Sequence, residues 1–262
     1  MEDSSAGEIC SSNYIGFDLY KIAFILWDVI TGTRTLNRPM KLDIDIAHHV
    51  GAVARVVGTR DIGGRPARVV AATRTYDTTI DDLWDALTTA ERIPRWFMPI
   101  TGDLRLGGRY QLQGNAGGEI TRCEPPRHLG LTWEYGGDVS WVQVRLEEAP
   151  GGTTRLELEH VAHVPDEMWD QYGPGGVGVG WDSGLLGLAN HLASGAAMDP
   201  QEAVAWLASE QGKDFVRRSS DDWGRASIAA GTDPEAARAA AERTRAAYTG
   251  EDGAAPAEEP AG

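Results

Sequence analysis

A chain of 262 residues, 42% of them hydrophobic and 24% charged, can bury one large core or two modest ones. Its formal net charge of −15 argues against a binder of nucleic acid or of an anionic membrane, since either would repel it at long range. There are only two cysteines, and Cys10 sits in a polar leader apart from Cys123. That argues against a structural disulfide and fits a reducing cytoplasm, while the richness in Ala, Gly and Arg fits a bacterium with a GC-rich genome.

The apolar run at residues 22–30 is too short to cross a bilayer and carries Asp28, and acidic residues precede it where a secretory signal would be basic. Met40 opens a more ordinary start, MKLDIDIAHHV, so residues 1–39 are read as a translated upstream extension and 40–67 as a leader. Residues 68–77, RVVAATRTYD, are β-branched and apolar and predict a strand. TTIDDLWDALTTAERIPRWF follows with Ile80, Leu83, Trp84 and Leu87 at helical spacing. Thr79 and Asp82 are placed as a capping box, and Pro94 breaks the pattern before a short second helix and an RWF anchor.

From residue 102 to 161 the period changes to two. GGRYQLQG, GGEITRCE, HLGLTWEY, DVSWVQVRLEE and TTRLELEHVA are five strand-like runs, joined by turns short enough to make neighbours antiparallel. After Pro174 a helix is predicted. Val177, Trp181, Leu185, Leu188 and Leu192 form a bulky stripe beside a bare one of Gly176, Gly180, Gly184 and Gly187. Each glycine costs a helix about 1 kcal/mol against alanine, so these are expected to serve close approach or to leave space. The spacing Gly176-x-Gly178-x-Gly180 is wrong for a dinucleotide loop, no strand follows it, and no Gly-Lys-Ser/Thr occurs. Asp199–Pro200–Gln201–Glu202 and Thr232–Asp233–Pro234–Glu235 each supply a cap, a first-position proline and an acid, and Gly250 stops the second helix. Residues 196–250 are therefore read as a helical extension and 251–262 as a disordered acidic tail.

W-x-A-L…E-R-I-P-R-W-F, E-P-P-R and the Leu-Thr-Trp strand, with a long helix closing the order, resemble the START-like (SRPBCC) superfamily over residues 68–193. Within it they are similar to the bacterial branch named after the C-terminal domain of the heat-shock protein 90 ATPase activator. The resemblance implies an α+β helix-grip fold: a curved antiparallel sheet, six-stranded by the runs above, wrapped on a long C-terminal helix. It also implies an internal hydrophobic pocket. Members bind hydrophobic molecules, and a minority are cyclases or hydrolases. Nothing in residues 1–67 resembles the activator's separate N-terminal domain.

On that fold the expected cavity wall is Leu83, Leu87, Trp96, Phe97, Tyr110, Leu131, Trp133, Val144, Leu158, His160, Trp181, Leu185 and Leu188, with Arg109, Glu119 and Arg122 as polar groups that could orient a ligand. His160 shares a strand face with Leu156 and Leu158, whereas His163 falls on the other face, so no metal pair is expected. The Asp-Ser-Gly at 182–184 lies inside a helix rather than at a nucleophile elbow and is read as a polar break. Three functions stay open. The first is a cofactor-free cytoplasmic binder of a small hydrophobic molecule, monomeric or homodimeric. The others are a cyclase- or hydrolase-like enzyme using His160 with Glu119 or Arg109, and a protein-interaction module.

Overall fold

The computed structural model describes residues 44–251, so the expectations for residues 1–39 and for the tail after 251 lie outside the described residues. Helix α1 (Ile46–Gly51) is capped by the Asp45 carboxylate, which accepts from the His48 N–H. Strand β1 (Ala54–Ile62) then turns at Gly63 and Gly64, both at positive φ, and pairs along its whole length with β2 (Arg65–Tyr76). Positive φ at both turn positions is what a tight hairpin needs and what glycine supplies without strain.

From β2 the chain crosses through α2 (Ile80–Thr88) and a 3-10 turn (Ile93–Arg95) to the far edge of the sheet. As the Thr79 and Pro94 signals predict, Thr79 caps α2 by accepting from the Asp82 N–H, and the proline sits inside the 3-10 turn. The RWF anchor is physical: Trp96 Nε1 donates to the Ala86 carbonyl at 2.9 Å, tying the turn to α2. A meander then returns: β3 (Ile100–Gly102), β4 (Arg109–Leu112), β5 (Gly117–Glu124), β6 (His128–Tyr135), β7 (Asp138–Ala149) and β8 (Thr153–Ala162). Since β8 pairs with β2, the order is β1-β2-β8-β7-β6-β5-β4-β3, antiparallel throughout.

The α+β class and the antiparallel sheet under a long helix are as expected, but the strand count is eight rather than six. The stretch 40–67, expected to be a leader, contributes α1 and the edge strand β1. Its hydrophobic alternation is broken by Gly58, Thr59, Arg60 and Asp61, which an edge strand tolerates because one side faces solvent. Strand β3, three residues long, is too short to show any period.

Helix α3 (Asp166–Tyr172) leads into α4 (Gly175–Ser194), which ends on Gly195 in the left-handed conformation. Val179, Leu185, Leu186 and Leu188 of α4 pack with Val142, Val144, Leu146, Leu156 and Leu158 of the sheet and Leu83 of α2 in one core. The same core takes in Phe215, Val216 and Trp223 of α6 (Glu210–Ala229), which follows α5 (Pro200–Leu207) and precedes α7 (Pro234–Thr249). The extension is thus fused to the grip through shared core.

Two contacts explain Gly178 and Gly187. A Cβ on Gly178 would lie 2.2 Å from the Trp223 indole, and one on Gly187 would lie 2.4 Å from the Trp96 carbonyl oxygen. These glycines let α6 and the 3-10 turn approach the α4 backbone. Gly178→Ala is expected to lower stability by about 1–3 kcal/mol in thermal unfolding, because overpacking outweighs the roughly 1 kcal/mol gain in helix propensity.

Beside Gly178, the Asp182 carboxylate ties four elements together. Its Oδ2 accepts from Arg55 Nε (3.0 Å) and Nη2 (2.8 Å), from Ser219 Oγ (2.5 Å) and from Trp223 Nε1 (3.2 Å). Arg55 also donates to the Val50 and Val53 carbonyls and to Asp222 Oδ2. The polar break expected at residue 182 is therefore a buried tie between β1, α1, α4 and α6.

Candidate ligand cavity

Two adjoining cavities share Trp96, Phe97, Trp133 and Trp181. The inner one, about 130 Å³, lies between the sheet and the α2–β3 crossover, against Leu87, Ile93, Leu112, Ile120, Leu131 and Val144. The outer one, about 290 Å³, lies against α4 at Val177, Gly180 and Gly184, where absent side chains leave room. Its far wall comes from the extension: Met198, then Pro200, Ala203, Val204 and Leu207 of α5, and Tyr248 of α7. The surface is mostly aromatic and aliphatic, which is the character of a small-molecule pocket rather than of a solvated cleft.

The inward face follows from strand register. Val142 pairs with His160 and Val144 with Leu158 across β7–β8, while Leu131 pairs with Val142 and Trp133 with Ser140 across β6–β7. A directed hydrogen-bond chain runs through this face. Trp181 Nε1–H donates to His160 Nδ1 at 3.1 Å, so the remaining ring proton sits on Nε2 and is donated to Ser140 Oγ at 2.8 Å. Ser140 in turn donates to the Trp133 carbonyl at 3.0 Å. Every polar atom of His160 is used, and burial lowers its pKa to about 4, so the imidazole is neutral near pH 7. Its effect is to fix Trp181 edge-on to Trp133, with ring centroids 5.0 Å apart.

Of the residues expected to line the cavity, Leu87, Trp96, Phe97, Tyr110, Leu131, Trp133, Val144, Leu158 and Trp181 border the inner chamber, and His160 borders the outer one. Leu83, Leu185 and Leu188 do not: they are 0%, 4% and 0% exposed and belong to the packed core under α4. Arg109, Glu119 and Arg122 do not face the cavity either. Arg109 and Glu119 alternate with the inward Tyr110 and Ile120, and Arg122 is turned outward past the irregularity in β5–β6 register between Ile120 and Arg122; all three are exposed, and Arg109 and Arg122 pair with Glu134 and Glu124. The acid–base set of His160 with Glu119 or Arg109 is therefore not assembled. His163 lies on the opposite face, against the Pro66 carbonyl and the Trp141 ring.

Sequence reasoning missed the far wall. Val204 and Leu207 recur at helical spacing after the Asp199 cap, and that period was the available signal, but nothing in it says which surface the helix covers. Among the described residues no helix is long and apolar enough to cross a membrane, and no group of three or more His, Cys, Asp or Glu side chains converges as a metal site would need.

A family model described as activator of Hsp90 ATPase homolog 1-like protein matches residues 77–193. The crystal structure of CalU16 from Micromonospora echinospora is 35% identical, with 69% of this chain and 99% of CalU16 covered and a TM-score of 0.53. Its solution NMR structure gives 36% identity, coverage of 69% and 97%, and a TM-score of 0.56. An HSP90 activator from Plasmodium falciparum is 26% identical over 37% of this chain and 74% of its own, with a TM-score of 0.34. No curated protein matches the chain. CalU16 covers more of the chain than the family match does, so the likeness continues into elements flanking residues 77–193. Sequence, sheet order and neighbours agree: the chain belongs to the START-like (SRPBCC) superfamily, in the family of activator of Hsp90 ATPase homolog 1-like proteins.

Proposed function

We propose that the protein binds a small hydrophobic molecule in the paired chambers between the sheet, α4 and α5. The observation that carries this reading is the outer cavity of about 290 Å³, near the lower end of the roughly 300–1,000 Å³ typical of small-molecule sites. Its aromatic rings are held in place before any ligand arrives: Trp181 by His160, Trp96 by the Ala86 carbonyl, and Tyr248 by the Gly176 carbonyl. Side chains fixed in this way lose little freedom on binding, which favours affinity. The catalytic reading lacks the polar partners it required around His160. Among the described residues the exposed large hydrophobics are the scattered Val56, Leu106 and Val139, which do not favour the interaction-module reading.

A neutral fluorescent probe, N-phenyl-1-naphthylamine, tests the site in the full chain. Val204→Trp puts an indole into the outer chamber from α5 and is expected to weaken probe binding about tenfold or more, with melting temperature unchanged or raised. Val56→Trp, at a position 63% exposed, serves as the control and leaves binding unchanged. Equal affinity for the probe in both variants would remove the chambers from consideration.

A further inference from the structure

Among the described residues, no Asp, Glu, Lys or Arg side chain borders either of the paired chambers, although 24% of the chain is charged. His160 is neutral near pH 7 and both its ring nitrogens are engaged. Other polar side chains of the wall give their protons to the protein. Tyr110 donates to the Thr132 carbonyl, Tyr248 to that of Gly176, Trp96 to that of Ala86, Thr88 to that of Trp84 and Ser183 to that of Val179. An ion entering such a space would leave its water shell and meet no counter-charge, so the wall selects an uncharged molecule.

Two N–H donors in the wall are left over. Trp133 Nε1–H, on the ring that borders both chambers, has no hydrogen-bond partner among the described residues. Neither has Asn115 Nδ2 of the outer chamber, whose Oδ1 accepts from the Ala116 N–H and so fixes which end of the amide donates. Unpartnered side-chain atoms that are fully enclosed belong to Asp182, His191, Trp206 and Ser220, so the Trp133 and Asn115 donors keep contact with open space. Trp133 stands on the inward face of β6, opposite Ser140 and against Trp181, so the space its ring meets is that of the chambers. A carbonyl oxygen complements these groups, since it accepts and brings no proton of its own to place. A hydrocarbon would cover the donor and leave it unpaired. We propose that the molecule held in the chambers is an uncharged carbonyl compound whose oxygen accepts from Trp133 Nε1–H, an inference that rests on the chambers being the binding site.

Displacement of N-phenyl-1-naphthylamine from the full chain ranks four probes built on one skeleton: the ketone 1-tetralone, the hydrocarbon tetralin, the anion 1,2,3,4-tetrahydro-1-naphthoate and the cation 1-aminotetralin. Both uncharged probes are expected to bind, and each ion to bind about tenfold or more weakly than tetralone. Trp133→Phe keeps an aromatic ring beside Trp181 and removes the donor. It should weaken tetralone about fivefold more than it weakens tetralin, the loss of packing being common to the two. In the unsubstituted ¹⁵N-labelled protein, with indole signals assigned through bonds, the Trp133 N–H should move saturably and further downfield with tetralone than with tetralin. Three results would each overturn the proposal and leave the chambers as the site. They are an equal loss of tetralone and tetralin in Trp133→Phe, a Trp133 signal that saturating tetralone does not move, and an ion that binds as tightly as tetralone. Failure of N-phenyl-1-naphthylamine and of all four probes to bind would overturn the chambers themselves, and this proposal with them.

Discussion

Asp182→Ala is expected to cost about 3–5 kcal/mol of stability, the largest effect of any single substitution outside the packed apolar core. The side chains of Asp182 and Arg55 are 1% and 4% exposed, so the deletion strands a guanidinium in the interior with only two carbonyls and Asp222 as partners. Ser219 and Trp223 lose their acceptor at the same time. Burial pushes the Asp182 carboxyl up, and Arg55, Ser219 and Trp223 pull against it. Thermal unfolding should show a drop of roughly 10 °C or more. Arg55→Met combined with Asp182→Leu should recover part of that loss, because it removes the stranded guanidinium, although Ser219 and Trp223 still lack their acceptor. Removing an exposed pair member such as Arg122 should change stability by no more than about 1 kcal/mol. A loss from Asp182→Ala as small as that one would mean the extension is held on by apolar contact alone.

The second large effect is acid sensitivity through His160. Its folded pKa is about 4 against an ordinary 6.5, lowered by burial. Near pH 7 the ring is neutral in both folded and unfolded chains and contributes no pH dependence. As pH falls below 6.5 the unfolded chain takes up the proton first, so stability declines until the folded ring titrates near pH 4. The full loss is about 3 kcal/mol, roughly two-thirds of it by pH 5, before most carboxylates titrate. His49, whose pKa is also lowered by burial and by neighbouring Arg74, adds to the slope in the same direction. His160→Gln keeps an acceptor for Trp181 and a donor for Ser140 but cannot titrate. Its stability should therefore fall by about 2 kcal/mol less than the parent's between pH 7 and pH 5. Identical slopes in the two proteins would show that His160 is not held neutral by its surroundings.

The meander and the gripping helix were legible because their signals are local. Period-two runs between glycine and proline turns gave five strands, and Thr79, Asp199 and Asp233 marked the helix starts at which each side chain accepts a backbone N–H. His160 was placed correctly on the inward face by alternation, and Leu131, Trp133 and Leu158 with it. Other features were harder to read. Edge strands β1 and β3 carry too little burial or too few residues to show a pattern. Leu185 and Leu188 share the stripe of Trp181, yet a helix stripe about 100° wide can touch packed core at one level and open cavity at the next, and periodicity does not resolve the two. Arg109, Glu119 and Arg122 were weighed for their chemistry, whereas strict alternation with Tyr110 and Ile120 would have put Arg109 and Glu119 outside. The reach of α6 was invisible for another reason. RRSSDDWG is chemically quiet as a sequence until the fold brings Ser219 and Trp223 to Asp182, 37 and 41 residues earlier in the chain.

Whether the chambers behind Trp181 hold a ligand decides the function. Native mass spectrometry of the full chain purified from its own host, beside Val204→Trp prepared in the same way, tests that most directly. The expected spectrum of the parent protein carries a non-covalent apolar small molecule that collisional activation releases, and the filled variant lacks it. A parent protein that carries no such molecule, or a variant that carries it equally, would contradict the assignment.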